Sequence, residues 1–280
     1  MGGDGSGARR AAVVLLSLIA GLSLVVGALS LAARGTLFDP STVTAVSSRL
    51  LDQPAVRTAI AHTLTTRLRS VAPALREPAV SDGLERLATA LTDTERFRGA
   101  FRDALARLQM DLLARDHRPV ALRLETMLDA TRAELQEKLG IPLQFPQTDA
   151  AGRLTIDPGQ VQAYRDLLSI SGQTGWPAIA IGGLAAIGAL VIAERRRRAM
   201  LSLGATVATI ALIGLGGLAL ARSAAASRAA GSTSRAAVDA AWSVMAGDAR
   251  TALIAVMLAG MATAVLGLAL QAFGSDRASR

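Results

Sequence analysis

Four long runs without a charged residue constrain this chain more than any other feature of its sequence. They cover Ala11–Ala33, Leu167–Ala193, Ala199–Ala221 and Thr251–Ser275, and each contains 23 or more residues. A helix rises about 1.5 Å per residue, so roughly 20 apolar residues cross the hydrocarbon layer of a bilayer. Buried helices of soluble proteins seldom extend this far without a charge. The runs therefore predict four transmembrane helices.

The spacing of these runs predicts a predominantly α membrane protein with one extracytoplasmic, mostly helical domain that includes a short two-stranded β pair. The predicted order is a cytoplasmic N-terminus (1–10), transmembrane helix 1 (11–33), the extracytoplasmic domain (34–175), transmembrane helix 2 (176–193), a cytoplasmic arginine-rich loop (194–200), transmembrane helix 3 (201–221), an extracytoplasmic loop (222–250), transmembrane helix 4 (251–273) and a cytoplasmic tail (274–280).

The net charge of +8 suggests nucleic-acid binding until the charges are located. Residues 34–175 hold 18 basic and 17 acidic side chains, so most of the excess lies near the chain ends and in the connections between spans. A single-stranded nucleic-acid site also needs stacking aromatics, and aromatic residues form only 3% of the chain. The composition therefore excludes nucleic acid as a partner and indicates the lipid bilayer instead.

The positive-inside rule sets the predicted orientation, because basic residues close to the spans are retained in the cytoplasm. With four spans, the basic groups before the first span and between the second and third fall on the same side, as do Arg277 and Arg280 after the fourth. Three aromatic residues fall near the opposite interface, where amphipathic rings are favoured. The topology-determining residues are Arg9, Arg10, Arg195, Arg196, Arg197 and Arg198, and the interfacial aromatics are Phe38, Trp176 and Trp242.

These features predict a multi-pass protein of the cell membrane, with both termini cytoplasmic and residues 34–175 extracytoplasmic. The first apolar run is 23 residues long, whereas the apolar region of a cleaved signal peptide is usually 7–15. We therefore expect an uncleaved signal-anchor. Cysteine is absent, which excludes disulfides and thiolate chemistry from the domain.

Within residues 34–175 the apolar period becomes that of amphipathic helices. Asp52 and Pro54 predict a helix start, and Thr92 to Glu95 has the spacing of a capping box. Alternation predicts short strands around Leu122 and Leu154, and Pro158 begins a helix that feeds into the second span. The helical stripes are Val56, Ile60, Leu64, Leu68 and Val71; Val80, Leu84, Leu87 and Leu91; and Phe97, Phe101, Leu105, Leu108 and Leu112.

Signals for catalysis are weak throughout. His62 lies off the apolar stripe of its helix, and His117 has a single acidic neighbour, which falls short of a metal-ligand pattern. The sequence has no phosphate-binding glycine loop, zinc-protease helix or nucleophile elbow. We therefore predict no enzyme activity, no metal and no cofactor.

The spans contain no ionisable residue, whereas ion-coupled transporters usually keep such groups at membrane depth. The spans do contain small residues at helical spacing, and such residues allow helices to approach closely. Packing within the chain is the simpler interpretation, and a homodimer is the alternative. The helix-packing residues are Gly182, Ala186 and Ala189 in the second span and Gly260, Ala264 and Gly267 in the fourth.

The loop 222–250 is rich in alanine and serine and carries apolar residues on one possible helical face, namely Val238, Ala241, Trp242 and Met245. Such a face is compatible with a helix lying on the outer leaflet or with a surface helix packed under the domain.

Several short segments resemble a group of uncharacterised actinobacterial integral membrane proteins with four spans. They are Leu37-Phe38-Asp39, Leu50-Leu51-Asp52, Pro54-Ala55-Val56-Arg57, the segment 120–125, the segment 152–156 and the arginine cluster after the second span. The resemblance implies a protein of the cytoplasmic membrane of an actinobacterium. It implies no activity.

The function that these observations favour is a non-enzymatic binding or scaffold protein of the cell envelope, which acts through its outer domain on another envelope or membrane protein. The alternative is the membrane subunit of a transport complex, because the cell-division ABC permeases share the order of one span, an outer domain and three spans. The seven-residue loop 194–200 leaves little room for a helix that docks an ATPase. An enzyme in the outer domain ranks third.

Overall fold

The computed structural model describes residues 4–37, 40–71, 86, 88–113, 121–123, 153–155, 158–193, 195–229 and 231–275, and these are nearly all helical. They form two compact units, one of Met1–Gly35, Ser169–Ala221 and Ala246–Arg280, and one of Thr36–Leu168 and Arg222–Met245. The elements are α1 (Asp4–Leu37), α2 (Pro40–Asp52), α3 (Pro54–Val71), α4 (Glu95–Leu113), β1 (Ala121–Arg123), β2 (Arg153–Thr155), α5 (Pro158–Ile192), α6 (Arg196–Arg228), α7 (Ser232–Met245) and α8 (Gly247–Ser275).

Four of the described helices contain stretches long and apolar enough to cross a membrane, and they lie in α1, α5, α6 and α8. Their large apolar side chains remain exposed along the outside of the first unit, as Leu184 at 70% and Leu220 at 71% illustrate. Exposed aliphatic side chains of this kind suit a lipid environment. The four helices indicate a multi-pass membrane protein.

The helical segments extend beyond the predicted spans. The predicted helix at Pro158 joins the second span as one uninterrupted helix, α5. The third span continues through an alanine-rich stretch to Arg228, well past the predicted end at 221. Gly231, with a φ of 89°, then reverses the chain because glycine adopts the left-handed region without steric cost. Much of the predicted loop 222–250 is therefore helical.

Glycine contacts fix the directions of the four helices in the first unit. A β-carbon added at Gly182 of α5 would lie 2.9 Å from Leu24 Cγ of α1, and one added at Gly175 would lie 3.1 Å from Leu31 Cδ2. Residue numbers rise in α1 as they fall in α5, so these two helices are antiparallel. Gly21 of α1 contacts Val207 and Ile210, and Val25 of the same helix contacts Gly214, so α1 runs parallel to α6.

Among the described glycines, Gly204 of α6 comes closest to the backbone of another helix, and that helix is α8. A β-carbon at Gly204 would collide with the Gly260 carbonyl oxygen and lie 2.5 Å from Ala264 N. Further along, a β-carbon at Gly267 would lie 2.9 Å from Leu201 N and 3.0 Å from the Arg197 carbonyl oxygen. The positions rise in one helix as they fall in the other, so α6 and α8 are antiparallel and their backbones are in contact over two turns.

The predicted small residues of the second span face neighbouring helices of the same chain. Gly182 also approaches the Ala20 carbonyl oxygen, at 3.2 Å from an added β-carbon. Ala189 is fully buried, and Ala186 packs against a cluster that contains Ala20 and Val207. A polar contact supports the same pair of helices, because the Ser30 and Thr174 hydroxyls lie 3.4 Å apart between α1 and α5.

In the second unit, the amphipathic stripes of α3 and α4 meet the buried face of α2. Leu51, Leu64 and Phe97 are almost fully buried together. Ile60 and Phe101 contact this cluster and also a second one around Val46, Leu50 and Val56. The stripes around Val56 and Phe97 therefore contribute the core of the described part of the domain, as the helical spacing predicts. The side chains of Leu68, Val71, Val80, Leu84, Leu87 and Leu112 lie outside the described part of the chain.

The predicted helix starts are partly confirmed. α3 begins at Pro54, and the Gln53 carbonyl accepts from Val56 N at 3.1 Å, which fits proline at the first helical position. The capping residue of α4 is Thr94 rather than Thr92, since Phe97 N donates to Thr94 Oγ1 at 3.3 Å. Thr92 is fully buried and donates to the Thr89 carbonyl instead, which removes it from the predicted capping box.

Two three-residue strands, β1 and β2, pair antiparallel in the second unit, with Leu122 opposite Leu154. An isolated two-stranded ribbon is only marginally stable in water, so it needs a packing partner. β1 makes its contacts with α4.

We expect the Gly204→Ala variant to lose stability, because the added methyl group meets backbone atoms that cannot rotate away. Overpacking of this kind costs about 1–3 kcal/mol of unfolding free energy. Gly217 of the same helix is the matched control: nothing lies within 4 Å of its added β-carbon. Gly217→Ala should keep or slightly raise stability, since alanine is the better helix former. Thermal unfolding in mild detergent measures both, and equal stabilities would contradict the contact.

Candidate functional site

The candidate binding module is the second unit. Its helix α7 is the element whose position the sequence left most open. The segment is compatible with two predictions, a helix lying on the outer leaflet or a helix packed under the domain. In the structure Ala240, Ala241 and Val244 of α7 pack against the cluster of Val46, Leu50 and Val56. The helix therefore belongs to the domain, with contacts to both α2 and α3.

The packed face of α7 shares Ala241 with the predicted apolar face but is otherwise formed by Ala240 and Val244. Val238, Ala241, Trp242 and Met245 form the predicted apolar face, but Met245 is 51% exposed and Trp242 is half-buried. A salt bridge fixes the helix at its other side, where Arg222 Nε lies 2.8 Å from Asp239 Oδ1. Small alanines pack inward because they let α7 approach the aliphatic core closely.

This packing joins two chain segments that the second and third spans separate. The described residues of α2, α3 and α4 share one apolar core with α7, which follows the third span. The domain is therefore connected to the transmembrane bundle at four points of the chain rather than through a single tether.

Charged side chains at the start of α4 tie three helical segments together. Asp93 Oδ1 accepts from Arg57 of α3 and, at 3.4 Å, from Arg98 of α4, and Arg98 also lies 3.4 Å from Asp52 of α2. The carboxylates are about half exposed or more, so such pairs contribute at most about 1 kcal/mol each. Arg57 Nε is buried without a hydrogen-bond partner among the described residues. We assign the cluster to positioning of α4.

The outward face of α4 is polar and mixed in charge. Arg102, Asp103, Arg107 and Asp111 are exposed, and Met110 projects among them with 61% of its surface accessible. Alternating charges at this spacing are typical of a solvated helix face. Among the described residues of the domain, Met110 and Met245 are the large apolar side chains that remain exposed. A partner that binds the described surface of the domain would therefore contact mainly polar side chains, with Met110 and Met245 as isolated apolar contacts.

The predicted topology residues gather at one end of the bundle. Arg195, Arg196, Arg197 and Arg198 are all exposed, the last three in the first turn of α6. Gly21 of α1 contacts Ile210 of α6. Arg9 precedes Gly21 by the same number of helical turns as Arg198 precedes Ile210. Since α1 and α6 are parallel, Arg9 and its neighbour Arg10 lie at the same end as the arginine turn.

The remaining predicted sites are placed only in part. Trp176 is 67% exposed on α5, at the end of the bundle away from the arginine turn. Phe38 and His117 lie outside the described residues. His62 is exposed on α3. Within the described part of the chain, no group of three or more His, Cys, Asp or Glu residues could hold a metal ion.

Gly204 is absent from the predicted helix-packing residues, although an added β-carbon there would collide with the Gly260 carbonyl oxygen. A signal for it exists, because Gly204, Ala208 and Ala211 repeat the small-residue spacing recognised in the fourth span. Comparison of the chain with protein-family models, curated proteins and solved structures gives no match in any of the three.

We expect Val244→Asp to destabilise the domain, because it places a carboxylate against the Val46, Leu50 and Val56 cluster. The expected loss is about 1–3 kcal/mol of unfolding free energy. The neighbouring Ser243 is exposed, so Ser243→Asp adds the same charge without burying it and should change stability little. In a Trp176→Phe background, Trp242 fluorescence reports directly on α7. Similar melting curves for the two variants would show that α7 does not pack as described.

Proposed function

We propose that the chain is an integral protein of the cytoplasmic membrane that binds or organises another envelope component through its helical domain, without catalysing a reaction. The observation that carries this proposal is the two-segment construction of the domain. A core shared by α2, α3, α4 and α7 ties the domain to the spans at four chain positions. Such multiple attachment limits the orientations that the domain can adopt, which suits a docking platform better than a tethered enzyme or carrier.

The proposed orientation places the arginine turn and both termini in the cytoplasm and the domain outside. Two features support it: the clustering of Arg9 with Arg195–Arg198 at one bundle end, and the positive-inside rule. The resemblance to actinobacterial four-span proteins supports the same membrane.

A transport subunit is the competing proposal, and the connection between α5 and α6 argues against it. α5 ends at Ile192 and α6 begins at Arg196, so the connection is shorter than the predicted loop 194–200. An ATPase would have to dock on these few residues and on the chain ends.

The orientation can be tested by labelling introduced cysteines, because the natural chain has none. Ser81→Cys and Ser234→Cys should react with a membrane-impermeant maleimide on intact cells. Ser6→Cys and Ser279→Cys should react only after permeabilisation. The reverse pattern would invert the proposed orientation, and labelling of Ser81 and Ser234 on different sides would contradict the shared core of the domain.

Binding can be tested by photocrosslinking from defined positions in living cells. A photoreactive amino acid at Met110 on α4 should capture an envelope protein, which a C-terminal tag then recovers for mass spectrometry. The control position is Leu212 of α6, which is 60% exposed on a span and should contact mainly lipid. Recovery of an ATPase in stoichiometric amount would support the transport alternative. Capture at Leu212 but not from the domain would contradict binding through the domain.

A further inference from the structure

The arginine turn between α5 and α6 is more basic than helix stability or packing requires. Arg196, Arg197 and Arg198 occupy the first turn of α6, where the positive end of the helix dipole disfavours cations. Their side chains are exposed, and no ion pair joins them to an acidic group among the described residues. The described part of the chain therefore supplies no counter-charge for these three guanidinium groups.

The backbone of this turn is nevertheless firmly held. Arg198 N and Ala199 N both donate to the Arg195 carbonyl oxygen, at 2.9 and 3.1 Å. Ala199 and Leu203 are buried, and Gly267 of α8 packs directly on the Arg197 carbonyl. Successive side chains on a helix are about 100° apart, so Arg196, Arg197 and Arg198 leave the first turn of α6 in different directions while their backbone stays fixed. With Arg195 just before the helix, they form a ring of exposed guanidinium groups on a fixed backbone.

We propose that this ring binds the phosphate groups of anionic phospholipids. The position selects this occupant, because the turn joins two helices long and apolar enough to cross a membrane. A residue at such a junction lies at the depth of lipid headgroups. Guanidinium groups pair with phosphate through two parallel hydrogen bonds, and each basic residue near an anionic surface strengthens lipid binding. The site lies in the bundle and does not depend on what the helical domain binds.

The test compares phosphatidylglycerol with phosphatidylcholine of identical acyl chains, using the purified full chain in mixed micelles. Lipid that remains bound per protein is extracted and quantified by mass spectrometry. The wild-type protein should retain phosphatidylglycerol preferentially. The variant Arg196→Gln/Arg197→Gln/Arg198→Gln should reduce its apparent affinity about tenfold or more and leave phosphatidylcholine unchanged.

A matched control removes three exposed arginines elsewhere. Arg228→Gln/Arg235→Gln/Arg250→Gln makes the same change in net charge and spares the Arg222–Asp239 pair. It should keep most of the phosphatidylglycerol affinity. Equal losses in both variants would show a general charge effect and overturn the site, as would a wild-type chain without lipid preference. Displacement by soluble glycerol phosphate at equal concentration would also overturn it, because the ligand would then be a free phosphate.

Should the glutamine variant fail to fold, the wild-type protein still decides the question. Binding of a phosphate by arginines weakens as salt screens the charges. The phosphatidylglycerol preference should therefore fall strongly when the salt concentration rises from about 0.05 to about 0.5 M. A preference that stays constant would assign lipid selection to acyl-chain packing and contradict the proposed site.

Discussion

Association of helices inside a bilayer depends on close packing, because lipid tails are as apolar as the side chains that would otherwise associate. In this protein the contact of Gly204 with Gly260 and Ala264 supplies that packing at backbone distance. The contact sets the register of α6 against α8, and Gly21 and Gly182 set the register of α1 against its neighbours. Register in turn determines which residues share an end of the bundle. The gathering of the arginines follows from these glycine contacts.

The helical domain depends on a different physical effect. It is built around buried aliphatic and aromatic side chains, and burial of such groups is favourable in proportion to the apolar area removed from water. Because Ile60 and Phe101 contact both apolar clusters, the core is continuous from α2 to α7. A segment that follows the third span thereby completes a domain that begins after the first. Two of the four apolar helical stretches are therefore inserted in the chain between the segments that build the domain.

The two proposed functions belong to different parts of the protein, lipid binding to the helical bundle and partner binding to the helical domain. The bundle holds a basic turn whose arginines lie exposed on a fixed backbone, which suits recognition of lipid phosphate. The domain presents the mixed-charge face of α4, where Arg107 and Asp111 alternate around an exposed Met110. Salt bridges from Asp93 to Arg57 and Arg98 orient this helix.

The four apolar helices, the apolar stripes of α3 and α4 and the helix start at Pro54 could be predicted from the sequence. These features are local: length without charge, a period of about 3.6 residues and the fixed backbone of proline each act within one element. Three features emerge only from the packing of the folded chain: α7 completes the domain, Thr94 caps α4, and Gly204 contacts the backbone of α8. Alanine fits a lipid face, a water face or a helix contact equally well, so the composition of α7 could not select its neighbour. That choice depends on residues far apart in the chain, and packing alone brings them together.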